Sequence, residues 1–320
     1  MIDIKPFVDE INKEIENYDF GSSPEELYEP LHYIMRLGGK RIRPLLVLLA
    51  YRIFKNDWKN IVLPSLSVEA FHNFSLIHDD IMDEAPLRRG KSTVHEKWNQ
   101  NIAILSGDVM LVKAYDLLLQ SSNFDANMVQ EFNHTARLVC EGQQYDMNFE
   151  TKDNVTEGEY LEMIKLKTAV LLGFSLQFGA ILAGASEDNQ KYLYNFGTSI
   201  GIGFQLKDDL LDVYGEQRKV GKQVGGDIIA NKKTYLLIKA LEKSSDDSLR
   251  NLISQETVNK QEKVNAVTNI YNQLGIKELT EKKMNSQFKM GFGSLSEVEG
   301  NQQALDELSD FAHYLIDREY

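Results

Sequence analysis

Cysteine is nearly missing from the 320-residue chain, and Cys140 on its own can neither close an intrachain disulfide nor assemble a thiolate metal site. A reducing, cytoplasmic setting is therefore expected, with Cys140 read as a small buried hydrophobe. Basic charge is also short: 35 Lys and Arg against 48 Asp and Glu give a net charge of -13, which argues against a nucleic-acid partner. Met1 to Asp9 contains acidic residues and no basic apolar leader, so no secretory signal is expected. The longest apolar run, Thr168 to Ala185, is interrupted by Gln177, Ser175 and three glycines, which favours a core helix over a membrane span. No phosphate-binding P-loop is present, because Gln223 stands where Ser or Thr is required and the spacing from Gly215 to Gly221 is one residue too long.

Proline is confined to the start: all six prolines lie at or before Pro86, so the strongest helix breaker is missing from most of the chain. Period-two alternation is scarce, while helical spacing recurs, as in Leu305, Leu308, Ala312 and Leu315 after Asn301 as a candidate N-cap. The reading is all-α, as a single domain over residues 1–320. Breaks are expected at Gly21–Pro24, Asn56–Asp57, Pro86–Ser92, Ser121–Asn127, Lys152–Gly158, Gly215–Gly226 and Gly291–Gly300.

One short pattern occurs twice, as DDIMD at Asp79 to Asp83 and DDLLD at Asp208 to Asp212. Each ends an apolar helical run, and its first and last aspartates share a helix face, where like charges repel by about 0.2–0.5 kcal/mol. A counter-charge must offset that repulsion. Magnesium suits the pattern, since it takes oxygen ligands from one or two carboxylates together with substrate phosphates. The histidines lack metal-ligand spacing, which argues against zinc.

A diphosphate also needs direct cationic partners, and these come in compact groups. Gly38 to Pro44 reads GGKRIRP, of which Lys40 and Arg43 are the candidate anion ligands. Arg88 and Arg89 follow the first cluster, where guanidinium forks can take phosphate oxygens in pairs. Lys222 and Lys232-Lys233-Thr234 follow the second.

GGKRIRP, HDDIMDEAPLRRG, GQQYD, KLKTA, FQLKDDLLDVYG, GKQVGGDI and NKKT occur in the order and spacing of the trans-polyprenyl diphosphate synthases, which the chain resembles from about Leu31 to Leu237. The resemblance implies a helical bundle around a central prenyl cavity, a homodimer, and three Mg²⁺ ions between the aspartate clusters. The implied substrates are isopentenyl diphosphate and an allylic diphosphate (dimethylallyl, geranyl or farnesyl). By motif matching, Asp79, Asp83 and Asp208 correspond to direct metal ligands. Asp80, Asp209 and Asp212 correspond to ligands or their supports, with Asp212 counted in the metal set. Arg88, Lys167, Lys222 and Lys232 correspond to allylic-diphosphate ligands, and Lys40, Arg43, His72 and Arg89 to the isopentenyl diphosphate pocket, all cationic or able to become so. Thr168 and Gln205 match polar contacts near the reacting carbons, with Gln143 and Asp146 as supports.

In the chemistry this implies, the allylic C–O bond ionises, isopentenyl diphosphate attacks the carbocation, and the departed diphosphate takes the proton. Phe74 lies five residues before Asp79 and the small Ser75 four before, without an insertion in the motif, which resembles synthases that stop at C20. Phe71, a turn further down, could instead help stop the product at C15. The C-terminus Ile316 to Tyr320 lacks the basic tail of some relatives, so closure over the site would rely on other segments. A terpene cyclase would need only one aspartate cluster and no second diphosphate pocket, and a silent regulatory subunit would be expected to have lost a cluster.

Overall fold

The structure is a computed structural model that describes residues 3–121, 125–215, 225–244, 247–254 and 259–317. It is all-α, as the sequence pattern implies; the only strands among the described residues are β1 (Leu87–Arg88) and β2 (Lys91–Ser92), a short antiparallel hairpin. The chain divides into two compact units, one of Met1–Ala136, Phe174–Leu193 and Glu299–Leu308, the other of Arg137–Gly173, Tyr194–Val298 and Ser309–Tyr320.

The first unit contains α1 (Lys5–Asn17), α2 (Glu25–Arg36), α3 (Ile42–Arg52), α4 (Val62–Met82), α5 (Val94–Lys97) and α6 (Gln100–Leu118). Helix α4 packs chiefly on α6, where the His78 ring lies over Gly107, 2.2 Å from where a Cβ would stand, so glycine leaves room for the ring between the helices. Helix α3 is buried on every side from Pro44 to Tyr51. The Asn99 side chain caps α6 by accepting from the Ile102 N–H at 2.9 Å.

The second unit takes in residues of α7 (Ala126–Thr151), α8 (Glu157–Ile164), α9 (Val170–Ala183) and α10 (Glu187–Tyr214). Further along are α11 (Gly226–Ile229), α12 (Tyr235–Lys243), α13 (Ser248–Ser254), α14 (Lys260–Gln273), α15 (Ile276–Leu295) and the end of α16 (Gln302–Asp317). A reciprocal Thr156–Glu159 capping box starts α8, and a π turn at Lys165–Ala169 joins it to α9. By length and composition Glu157–Ala183 could cross a membrane, but 72% of its most apolar window is buried in the protein, as in a core helix. Asn301 caps α16 through the Ala304 N–H at 3.0 Å, and Leu305, Leu308 and Ala312 are buried, matching the periodicity of the sequence.

Two expectations are corrected. The break at Gly291 begins only at Ser296, because Gly291 is an interior helix position packed on Ile200 and Phe196, where it serves close approach rather than a turn. Cys140 is exposed, since α7 turns its neighbours Val139 and Gly142 inward instead.

Candidate active site

Two sets of polar groups are assembled, one in each unit. In the first, α4 delivers DDIMD at its C-terminal end, with Asp83 as the C-cap. The three aspartates are not equivalent. Asp80 is 1% exposed and is held by Arg88, whose Nε lies 3.0 and 2.8 Å from its two carboxylate oxygens and whose Nη2 lies 2.6 Å from Oδ1. Asp79 is half-buried and Asp83 exposed. Burial alone would lower the Arg88 pKa, but the Asp80 hydrogen bonds and the charges of Asp79 and Asp83 outweigh it and raise it.

The loop before α3 sorts its own bases. Arg41 takes a left-handed backbone (φ 48°), turns inward, and donates to Glu69 at 2.7 Å, to Asn12 at 3.2 Å and to the Met35 carbonyl at 2.5 Å. Lys40 stays exposed. Arg43 keeps a buried Nε with no hydrogen-bond partner among the described residues. Gly39 takes φ 138°, a backbone that L side chains rarely adopt, and the Arg89 guanidinium lies against it, donating to the Gly38 carbonyl.

These cations depress one another. Arg43 is pushed down to about 10 by burial and by Arg89, although Glu69 opposes the shift. Arg89 is lowered by burial, with Arg41 and Arg88 adding to it. His72 is held well below its ordinary range by burial and then by Arg43, Arg89, Arg88 and Arg41. An imidazole held so low is neutral at ordinary pH and can act by hydrogen bonding. Such a pocket favours a polyanion, which would relieve the repulsion.

In the second unit the same inequality recurs on α10. Asp208 is exposed, Asp212 half-buried and Asp209 only 3% exposed. Tyr160 donates to Asp209 at 2.5 Å and Gln205 approaches it at 3.5 Å; burial first, then the charge of Asp227, pushes its carboxyl up to about 7. Asp212 accepts from the Asp227 N–H at 3.0 Å, and Gly225 (φ 84°) donates to the Asp212 carbonyl at 2.6 Å, which ties the start of α11 to α10.

Lys167 sits in the π turn and pairs with Asp146 of α7 at 2.6 Å. Gly142 makes this possible, since a Cβ there would lie 2.2 Å from the Lys167 backbone nitrogen. Thr168 and Gln143 are half-buried, and Gln205 turns toward Asp209. Lys232 is exposed, its N–H bonded to the Asp227 carbonyl at 2.9 Å. Lys222 lies outside the described residues. Sequence reasoning missed Tyr160 and Glu69, for which no spacing or motif offered a signal, and Asp227, although GKQVGGDI contains it.

On α4, Phe71 is 1% exposed and its ring meets those of Phe74 and Phe132, each at 5.5 Å between centroids; Phe132 in turn meets Phe174 at 5.8 Å. The Ser75 hydroxyl donates back to the His72 carbonyl at 2.8 Å.

The donors are all hard oxygens, and no group of three or more His, Cys, Asp or Glu is preassembled as a metal cage among the described residues. That composition fits a magnesium ion completed by water and substrate phosphate, with Asp80 and Asp209 already committed to Arg88 and Tyr160.

The fold is the all-α isoprenoid synthase fold: a solved geranylgeranyl pyrophosphate synthase superposes with a TM-score of 0.93 at 40% identity, covering 100% of both chains. Residues 24–273 match the family model described as polyprenyl synthetase. The chain is 43% identical over 235 residues to the geranylgeranyl pyrophosphate synthase of Geoglobus acetivorans, spanning 72% of this chain and 73% of that protein. It is 33% identical over 316 residues to the geranylfarnesyl diphosphate synthase of Natronomonas pharaonis, spanning 93% and 91%. The chain belongs to the polyprenyl synthetase family, and it is a prenyltransferase.

Proposed function

We propose that the protein condenses isopentenyl diphosphate with an allylic diphosphate in a magnesium-dependent reaction, giving a C20 prenyl diphosphate and free diphosphate. The observation that carries this reading is the sorting of charges: each aspartate cluster commits one buried carboxylate to a protein partner, while Arg43, Arg89 and neutral His72 form a pocket built for a polyanion.

Asp79, Asp83, Asp208 and Asp212 are assigned to three magnesium ions, which supply positive charge to a departing diphosphate when bound. Arg88 makes no hydrogen bond through Nη1 to a described residue, so that arm can take a phosphate oxygen while Nε and Nη2 stay on Asp80. Lys167 and Lys232, with Lys222, complete the allylic set. Lys40, Arg43 and Arg89 bind isopentenyl diphosphate, and His72 donates to it as a neutral imidazole. The aromatic row of Phe74, Phe71 and Phe132 excludes water from the tail and sets its length. The cytoplasmic setting and the homodimer belong to the same reading; the dimer is supported by the exposed apolar residues Ile104, Leu105 and Val112 on α6 and Leu119 at its end.

The test is incubation of purified protein with isopentenyl diphosphate and each allylic primer, with and without Mg²⁺, followed by measurement of product length. Asp79→Ala and Asp208→Ala are each expected to remove nearly all condensation while the helical circular dichroism persists. More than a tenth of the activity surviving in both variants would sink the metal assignment.

A further inference from the structure

The first unit contains a cavity of about 600 Å³ lined by none of the residues assigned above. Small-molecule pockets span about 300–1,000 Å³, so the size suits a ligand of moderate mass. Arg36 at the end of α2, Lys91 on β2 and Lys97 at the end of α5 contribute three cations to its wall, against a single acid, Glu29. None of the three makes an ion pair with a described residue. In a chain of net charge -13, three unneutralised cations around one hollow are a concentrated anion-attracting field.

Apart from Leu37, the rest of the wall is aromatic. Tyr33 and Trp98 meet edge to face at 5.3 Å, and the Tyr33 hydroxyl donates to the Ser92 carbonyl at 2.7 Å, which fixes its ring. Lys97 Nζ stands 3.9 Å from the Tyr33 ring and 4.3 Å from that of Trp98, so the charge is held against the aromatic wall. His32 is anchored through Nε2 to the Gly21 carbonyl at 3.0 Å.

We propose that this cavity binds an organic phosphate, with its phosphate or diphosphate group on Arg36, Lys91 and Lys97 and its apolar or planar body against Tyr33 and Trp98. The site is independent of the condensation reading. Its occupant would nonetheless lie beside the catalytic region, because Lys91 pairs with Arg88 across the hairpin and Arg88 holds Asp80.

The chain has two tryptophans, so Trp58→Phe leaves Trp98 as the sole reporter. The full-length variant is titrated in excess EDTA, to withhold metal from the aspartates, with geranyl diphosphate, ATP and inorganic diphosphate in separate arms. Saturable change in Trp98 emission is expected with an organic phosphate, and the arm that saturates identifies a prenyl or a nucleotide source. Inorganic diphosphate is expected to bind at least tenfold more weakly. Adding Arg36→Ala and Lys91→Ala should weaken binding at least tenfold, Arg36→Lys with Lys91→Arg should restore it, and Asp79→Ala should leave it unchanged. No saturation by either organic phosphate overturns the proposal. So does a loss under twofold in the folded double variant, or equal binding of inorganic diphosphate.

Discussion

Arg88 grips Asp80 through both carboxylate oxygens, at 2.6 to 3.0 Å, which on the proposed reading leaves Asp79 and Asp83 as the metal-facing pair of DDIMD. A carboxylate that is 1% exposed and fully engaged acts by fixing the guanidinium beside Asp79 and Asp83. Asp80→Asn keeps the volume but loses the charge, and it is expected to lower kcat/KM at least tenfold. Stability should fall by about 1–3 kcal/mol, the usual cost of leaving a buried polar group poorly satisfied. Arg88→Lys should be similarly harmful, because an ammonium cannot reproduce the two-oxygen grip. Steady-state kinetics and urea unfolding check both; variants within twofold of the parent would remove Asp80 from its supporting role.

His72 gives a pH signature. Its folded pKa lies well below the ordinary value of about 6.5, so below that pH the unfolded chain binds a proton that the folded one refuses. Stability is therefore fully present above about pH 6.5 and declines as pH falls, by at most about 1.4 kcal/mol per pH unit for one proton. The His72→Gln variant is expected to lose less stability than the parent between pH 7 and pH 5. Parallel pH profiles of unfolding free energy for the two proteins would show that the imidazole is not held neutral.

Much of this was legible in the residues. The absence of proline after Pro86 gave the long helices, and the spacing of the two aspartate clusters marked where chemistry gathers. What the sequence could not rank was the aspartates within a cluster, because the decisive partner of Asp209 is Tyr160, 49 positions away, and only the fold brings them together. The π turn at Lys165–Ala169 was also hidden, since nothing in KLKTA distinguishes it from ordinary helix. Gly291 misled for the opposite reason: a glycine reads as a break until its packing against Ile200 is seen.

Leu105, Val112 and Leu119 follow one another at seven-residue intervals and are 57%, 57% and 52% exposed, an apolar stripe that a second copy of the chain would cover. The parent is expected to run as a dimer in light scattering after size exclusion, and Leu105→Glu with Val112→Glu as a monomer of unchanged helicity. An unaltered mass for the double variant would place the contact elsewhere.

On the proposed reading, product length is set by the aromatic row on α4. At 1.5 Å rise per residue, Phe74 lies about 7.5 Å along the axis from Asp79 and Phe71 about 12 Å, so a tail running down this helix meets Phe74 first. Ser75 turns its hydroxyl back to the His72 carbonyl and presents little bulk, which leaves Phe74 as the nearer obstacle. Its ring is braced by Phe71, and Phe71 by Phe132, so removing the first ring exposes a second wall rather than open space. Phe74→Ala is expected to lengthen the product by at least one C5 unit, and Phe71→Ala with Phe74→Ala by at least as much, with Phe132 then closing the path. Chromatography of dephosphorylated products reads the outcome directly, and an unchanged C20 product in both single variants and the double would mean that the tail does not run along this face of α4.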